Sequence, residues 1–119
     1  MINCLVVGAG GFIGAVTRYL MGLLPFNTGS FPGHTFLINL LATFFMGVFA
    51  GIAIKYSLSN EMQLFLKTGF CGGFSTLSAV TLEANGLIAN GKWGVMLLYL
   101  TLTMVVCLLG TGLGQNLIK

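Results

Sequence analysis

Charged side chains punctuate an otherwise apolar chain. None occurs in 1–17, 19–54, 68–82 or 93–118. A helix crosses the hydrocarbon of a bilayer in roughly 20 predominantly apolar residues. The 36-residue gap 19–54 is too long for one span and carries its own break, Pro25-Phe26-Asn27-Thr28-Gly29-Ser30-Phe31-Pro32-Gly33. Two prolines and two glycines in nine residues make a tight connection. Lys55-Tyr56-Ser57-Leu58-Ser59-Asn60-Glu61 supplies a second connection and Asn90-Gly91-Lys92 a third. The pattern predicts an all-α membrane protein of four transmembrane helices, about 2–24, 34–55, 63–90 and 93–116, in one domain over 1–119. The first stretch has no positive flank and no A-x-A cleavage site, so it reads as a retained span rather than a signal peptide.

Composition narrows the function classes. The 119 residues are 56% hydrophobic and 6% charged, against about 25% charged in a soluble domain. That excludes an ordinary soluble enzyme. The net charge of +3 comes from single, scattered residues. No basic patch exists for phosphates, so no nucleic-acid partner is expected. With four spans, Lys55, Lys67 and Lys119 share one side and Arg18 and Lys92 the other. Three against two is a feeble orientation signal. It suits a subunit that inserts either way, or beside an oppositely oriented partner.

The 18 glycines recur at four-residue spacing: Gly10 and Gly14, Gly47 and Gly51, Gly69 and Gly73, Gly110 and Gly114. Small residues so spaced let helix backbones approach closely in lipid. They point to tight packing and to oligomerisation. Gly8-Ala9-Gly10-Gly11-Phe12-Ile13-Gly14 mimics a dinucleotide fingerprint. It lacks the acidic residue about 20 positions on and the sheet around it. Cys4, Cys71 and Cys107 lie in separate apolar segments, and His34 is the single histidine. No metal-ligand spacing results. Glu61 and Glu83, the only acids, make no catalytic set.

Candidate chemistry concentrates in the third span. Gly69-Phe70-Cys71-Gly72-Gly73-Phe74-Ser75-Thr76-Leu77-Ser78 is too rich in glycine and hydroxyl for a lipid-facing helix. Adjacent glycines destabilise a helix by about 1 kcal/mol each, so a break at Gly72-Gly73 is expected. Backbone groups freed in hydrocarbon need partners. Neighbouring side chains or a bound ion could supply them. Freed carbonyls suit a cation such as Na⁺; hydroxyls and amides suit an anion. Asn39, an amide in an apolar span, reads either as interhelical glue or as a pore donor. Tyr99 and Thr103, four apart on one face of the last span, form a hydroxyl stripe.

Three segments resemble the small fluoride channels of the Fluc (CrcB) family. Gly10-Gly11-Phe12-Ile13-Gly14-Ala15-Val16-Thr17-Arg18-Tyr19 is similar to that family's GGxxGAxxRY opening. Thr35-Phe36-Leu37-Ile38-Asn39 is similar to its TxxVN segment, and 69–83 to its GFxGGxTTFSTFxxE core. The resemblance implies a dual-topology antiparallel dimer with the third helix broken and two fluoride pores. It implies a structural Na⁺ at the dimer centre, held by backbone carbonyls of Gly72 and Ser75. Pore-lining residues would be Thr35 and Asn39 of the second span and Phe74, Thr76, Leu77, Ser78 and Val80 of the third. Tyr99 and Thr103 of the fourth span would join them, with Arg18 near a vestibule. The chain departs from the family pattern at Leu77 and Val80, where two phenylalanines are expected. Ring edges carry a positive quadrupole that aliphatic side chains lack.

The implied function is passive fluoride export and fluoride resistance across a bacterial cell membrane, embedded in lipid, with no ATP or redox cofactor. Such a pore must replace fluoride's hydration with weak donors at several sites, because a strong fixed charge would hold the ion. Leu77 and Val80 motivate an alternative, a non-conducting subunit paired with a homologue in a heterodimer rather than a homodimer. A small multidrug exporter is the rival from another class. It requires an acid in the first span, which has none.

Overall fold

A computed structural model describes residues 1–25, 29 and 31–118. Phe26, Asn27, Thr28 and Ser30 of the first expected connection, and Lys119 of the charge count, lie outside the described residues. The described residues form helices without strands. These are α1 (Ile2–Gly22), α2 (Gly33–Tyr56), α3 (Asn60–Gln63), a π-helix (Leu64–Cys71), α4 (Gly72–Phe74), α5 (Leu77–Ala89) and α6 (Trp93–Ile118). α1, α2 and α6 are each long and apolar enough to cross a membrane. Between α2 and α6 the chain runs as two arms, 60–74 and 77–89, separated by Ser75 and Thr76.

The connections end as their residues dictate. Gly91 is left-handed at φ 75°. The Lys92 N–H bonds Leu87 O and the Gly91 N–H bonds Ile88 O, which consumes carbonyls that α5 would leave free. Ser57 takes the same role after α2, at φ 52°, with the Leu58 N–H on Ala53 O. Ser59 caps α3 by accepting from the Met62 N–H.

Packing skips neighbours in sequence. α1 lies mainly on the π-helix and α4, and α2 lies mainly on α6. Both contacts are made of glycine. A Cβ on Gly10 would strike the Phe65 carbonyl, one on Gly14 the Phe70 carbonyl, and one on Gly73 the Gly11 carbonyl. Across the other pair, Gly47 faces the Thr111 carbonyl and Gly114 the Phe44 carbonyl. The four-residue glycine stripes thus meet each other inside the chain, so they are not themselves the surface for a second subunit. Gly8 has nothing within 4 Å. Crowding therefore accounts for Gly10 and Gly14 of the fingerprint-like run but not for Gly8.

Two apolar clusters complete the core. Ile38, Ala42 and Phe74 pack with Phe45 and Phe70, and Val80, Ala84, Leu87, Met96 and Tyr99 pack with Phe31 and Phe36. Outer faces are strongly apolar: Phe12, Ile54, Leu82 and Leu108 are each more than 70% exposed at 72%, 75%, 73% and 74%.

Candidate functional site at the helix break

The break lies three residues beyond the expected place. Gly72 and Gly73 are helical, with Gly72 at φ −63°, ψ −37°. Ser75 (φ −81°, ψ 159°) and Thr76 (φ −154°, ψ 118°) are extended. Gly73 is held in the helix because it packs on α1. Ser and Thr leave it because their side chains bond backbone groups locally. Ser75 Oγ donates to Cys71 O at 2.8 Å, and Thr76 Oγ1 accepts from the Ala79 N–H at 3.2 Å, starting α5.

Two side chains from other helices replace the backbone bonds lost at the break. In an unbroken helix Gly72 O would accept from the Thr76 N–H. That N–H instead donates to Asn39 Oδ1 at 2.9 Å, while Asn39 Nδ2 donates to Thr76 O at 3.2 Å. Gly73 O, whose helical donor would be Leu77, accepts from Arg18 Nε at 3.1 Å. Arg18 therefore reaches the break from α1 rather than sitting free at an entrance. Asn39 uses both ends of its amide on the backbone N–H and C=O of Thr76.

Two cavities flank this point, and Thr76 lines both. The larger, about 360 Å³, is lined by Asn39, Thr43, Ser75, Leu77, Val80, Thr103, Met104, Cys107, Leu108 and Thr111 besides Thr76. No charged side chain is among them. The smaller, about 280 Å³, has Arg18, Tyr19, His34, Thr35, Ile38 and Ala79 on its wall. Thr35 Oγ1 donates to Glu83 Oε1, tying α2 to α5.

The expected pore residues divide. Asn39, Thr76, Leu77, Val80 and Thr103 come together around the larger cavity, and Thr35 and Arg18 around the smaller. Phe74 does not join them: it is 1% exposed and stacks on Phe70 with ring centroids 5.6 Å apart. Its helix face turns into the core, so its role is packing. Tyr99 is wholly buried between Phe31, at 5.3 Å between centroids, and the α5 cluster. Ser78 is exposed and its Oγ lies 3.1 Å from Thr76 Oγ1. Among the described residues the Tyr99 and Thr103 hydroxyls are buried without a hydrogen-bond partner. Such groups cost roughly 1–3 kcal/mol each. Sequence reasoning missed Thr43, Met104 and Thr111. The signal was there, since Tyr99, Thr103, Cys107 and Thr111 continue one i, i+4 stripe.

A family model described as "CrcB-like protein, Camphor Resistance (CrcB)" matches residues 5–115. The chain belongs to the CrcB-like family. The CrcB-like match contains the whole break and both cavities, from Arg18 to Thr111. Several similar proteins carry the name "Fluoride-specific ion channel FluC". The one from Chlorobaculum tepidum is 48% identical over 94 residues, covering 77% of this chain and 75% of the relative. That of Ruminiclostridium cellulolyticum is 38% identical over 122 residues, 100% and 94% of the two chains. That of Agrobacterium fabrum is 37% identical over 124 residues, 98% and 99%.

Proposed function

We propose that this chain is a subunit of a fluoride-selective channel, giving passive fluoride export through the cell membrane. It is not an enzyme. The observation that carries the reading, beside the relatives' name, is the pair of cavities meeting at Thr76. One holds the Arg18 guanidinium and the other offers only neutral donors, Asn39 Nδ2 and the Thr76 hydroxyl. Fluoride drawn toward the cation would pass to weaker sites and leave, as conduction requires. Glu83 is held by Thr35, and the first span contains no acid, so nothing favours proton-coupled drug export.

The conducting unit we propose is a dual-topology antiparallel dimer. The larger cavity sets Asn39 and Thr76 beside Leu77, Met104 and Leu108 on one wall, and these three are 74%, 71% and 74% exposed. A second copy would cover those apolar side chains and close the cavity to lipid. The residues also fit a central Na⁺. Gly72 is exposed and its carbonyl has lost its helical donor to Asn39, and Ser75 is extended beside it. Carbonyls from two such breaks would supply the hard oxygen ligands that a Na⁺ needs.

Fluoride-loaded liposomes containing only this chain test the proposal. Fluoride should emerge on addition of a potassium ionophore, with chloride retained. No fluoride release would overturn the homodimeric channel, and release only beside a second CrcB-like subunit would make this chain a heterodimer partner.

A further inference from the structure

We infer that the groove between the ends of α2 and α6 binds the headgroup of a phosphatidylethanolamine-type lipid, a phosphate diester that carries a primary ammonium. Gly51, Ile54 and Lys55 of α2 and Gln115 and Ile118 of α6 line a cavity of about 230 Å³ there. That is smaller than a pocket for a drug-sized molecule, but a lipid needs to lodge only its polar end. The floor is Gly51, where a Cβ would meet Ile118 Cβ at 3.0 Å. Ile54, 75% exposed, forms the open wall. Two observations set this groove at the level of the headgroups. Lys55 is the first charged residue after Arg18, and it stands in the last turn of a helix long and apolar enough to cross a membrane. A lysine so placed carries its ammonium out to the headgroup layer. Tyr56 beside it is 63% exposed, with Lys55 Nζ 5.6 Å from its ring centroid, and exposed tyrosines gather at that same layer.

Charge selects the headgroup. Lys55 Nζ and the Gln115 amide are donors that suit a phosphate. Among the described residues Lys55 Nζ meets no carboxylate and the Gln115 amide makes no hydrogen bond. Yet α2 and α6 both end here. The last carbonyls of a helix lack helical donors and together carry about half a negative charge. At α2 the Leu58 N–H takes Ala53 O, and the carbonyls after it still face outward. Two such ends offset a single lysine. A purely anionic headgroup is therefore held weakly, and a choline cannot donate to a carbonyl. An ethanolamine ammonium donates to the carbonyls while its phosphate meets Lys55. Glu61 does not compete for that ammonium, because it lines a separate cavity with Val6, Ser59, Met62 and Phe65.

The experiment titrates full-length chain in detergent with phosphatidylethanolamine, phosphatidylcholine or phosphatidylglycerol and counts bound lipid by native mass spectrometry. One phosphatidylethanolamine per chain should be retained. It should be preferred at least about threefold over each of the others, the scale of a charge at two helix ends. Lys55→Gln should weaken its binding by about fivefold, what one lysine contributes at a lipid surface, and Lys55→Arg should keep it. Lys67→Gln and Lys92→Gln should leave it unchanged. Phosphatidylethanolamine should also raise the unfolding temperature of the wild type but not of Lys55→Gln, because the headgroup bridges α2 to α6. A preference for phosphatidylglycerol overturns the proposal. So does an equal loss in Lys67→Gln, which would mean diffuse charge attraction, and so does the absence of retained lipid, which would mean that a second copy covers the groove. None of these readouts is fluoride release, so the channel reading stands or falls separately.

Discussion

Asn39 has one amide, and both of its ends are committed to the backbone N–H and C=O of Thr76. It acts first as a replacement for helical backbone, and only its remaining N–H can face an ion. Asn39→Ala should therefore cost stability as well as flux. Two backbone groups left unpaired in an apolar setting are worth on the order of 2–5 kcal/mol. Thermal unfolding in detergent should register that loss, and fluoride release should fall with it. A variant of unchanged stability would show that the clamp is dispensable. The two departures from the family pattern also separate at this scale. Leu77 is 74% exposed and Val80 is 3% exposed. Leu77→Phe should cost less in unfolding than Val80→Phe, which overfills a packed site at about 1–3 kcal/mol. Equal effects in unfolding measurements would contradict the burial difference. The amide marked itself in the sequence, because a polar group in an apolar span needs a partner. Its partner did not, because Thr76 is freed only when Asn39 and the Thr76 hydroxyl together outcompete the helix.

Helix pairing here is a matter of missing Cβ atoms. Gly114→Ala would place a methyl against the Phe44 carbonyl, and Gly14→Ala would place one against the Phe70 carbonyl. Backbone cannot yield as a side-chain end can, so each should destabilise by about 1–3 kcal/mol. Gly112→Ala and Gly8→Ala meet nothing within 4 Å and should be neutral or gain up to about 1 kcal/mol of helix propensity. Unfolding all four variants side by side checks the contrast; a loss at Gly8 or Gly112 equal to that at Gly14 would refute it. The four-residue spacing was plain in the sequence. Which stripe meets which was not, since any two such stripes are compatible. Nor was the π-helix at Leu64–Cys71 visible. Its wider turn runs where Gly69 lies against the Val7 carbonyl, 2.8 Å from where a Cβ would sit, and no residue type encodes that contact alone.

For the whole molecule, the unsolved surface is the face around the break, apolar in its flanks and polar at its floor. If two copies close it, light scattering in detergent should give twice 12.6 kDa. Prolonged exchange of Na⁺ for a bulky organic cation should then lower fluoride release, because carbonyls gathered at one point repel one another without a cation between them. Release that is indifferent to the exchange would remove Na⁺ from the account. The interleaved pairing has a consequence for biosynthesis. α2 enters the bilayer early, but its packing partner α6 is the last segment made, and ribosomes add roughly 5–20 residues per second. For some seconds the nascent chain holds α2 with its glycine stripe bare and the Thr43 carbonyl still waiting for the Thr111 hydroxyl. A premature stop in the last quarter of the gene would thus strip α2 of its main contact, and quality-control proteases would meet an α2 whose interior face had never been covered.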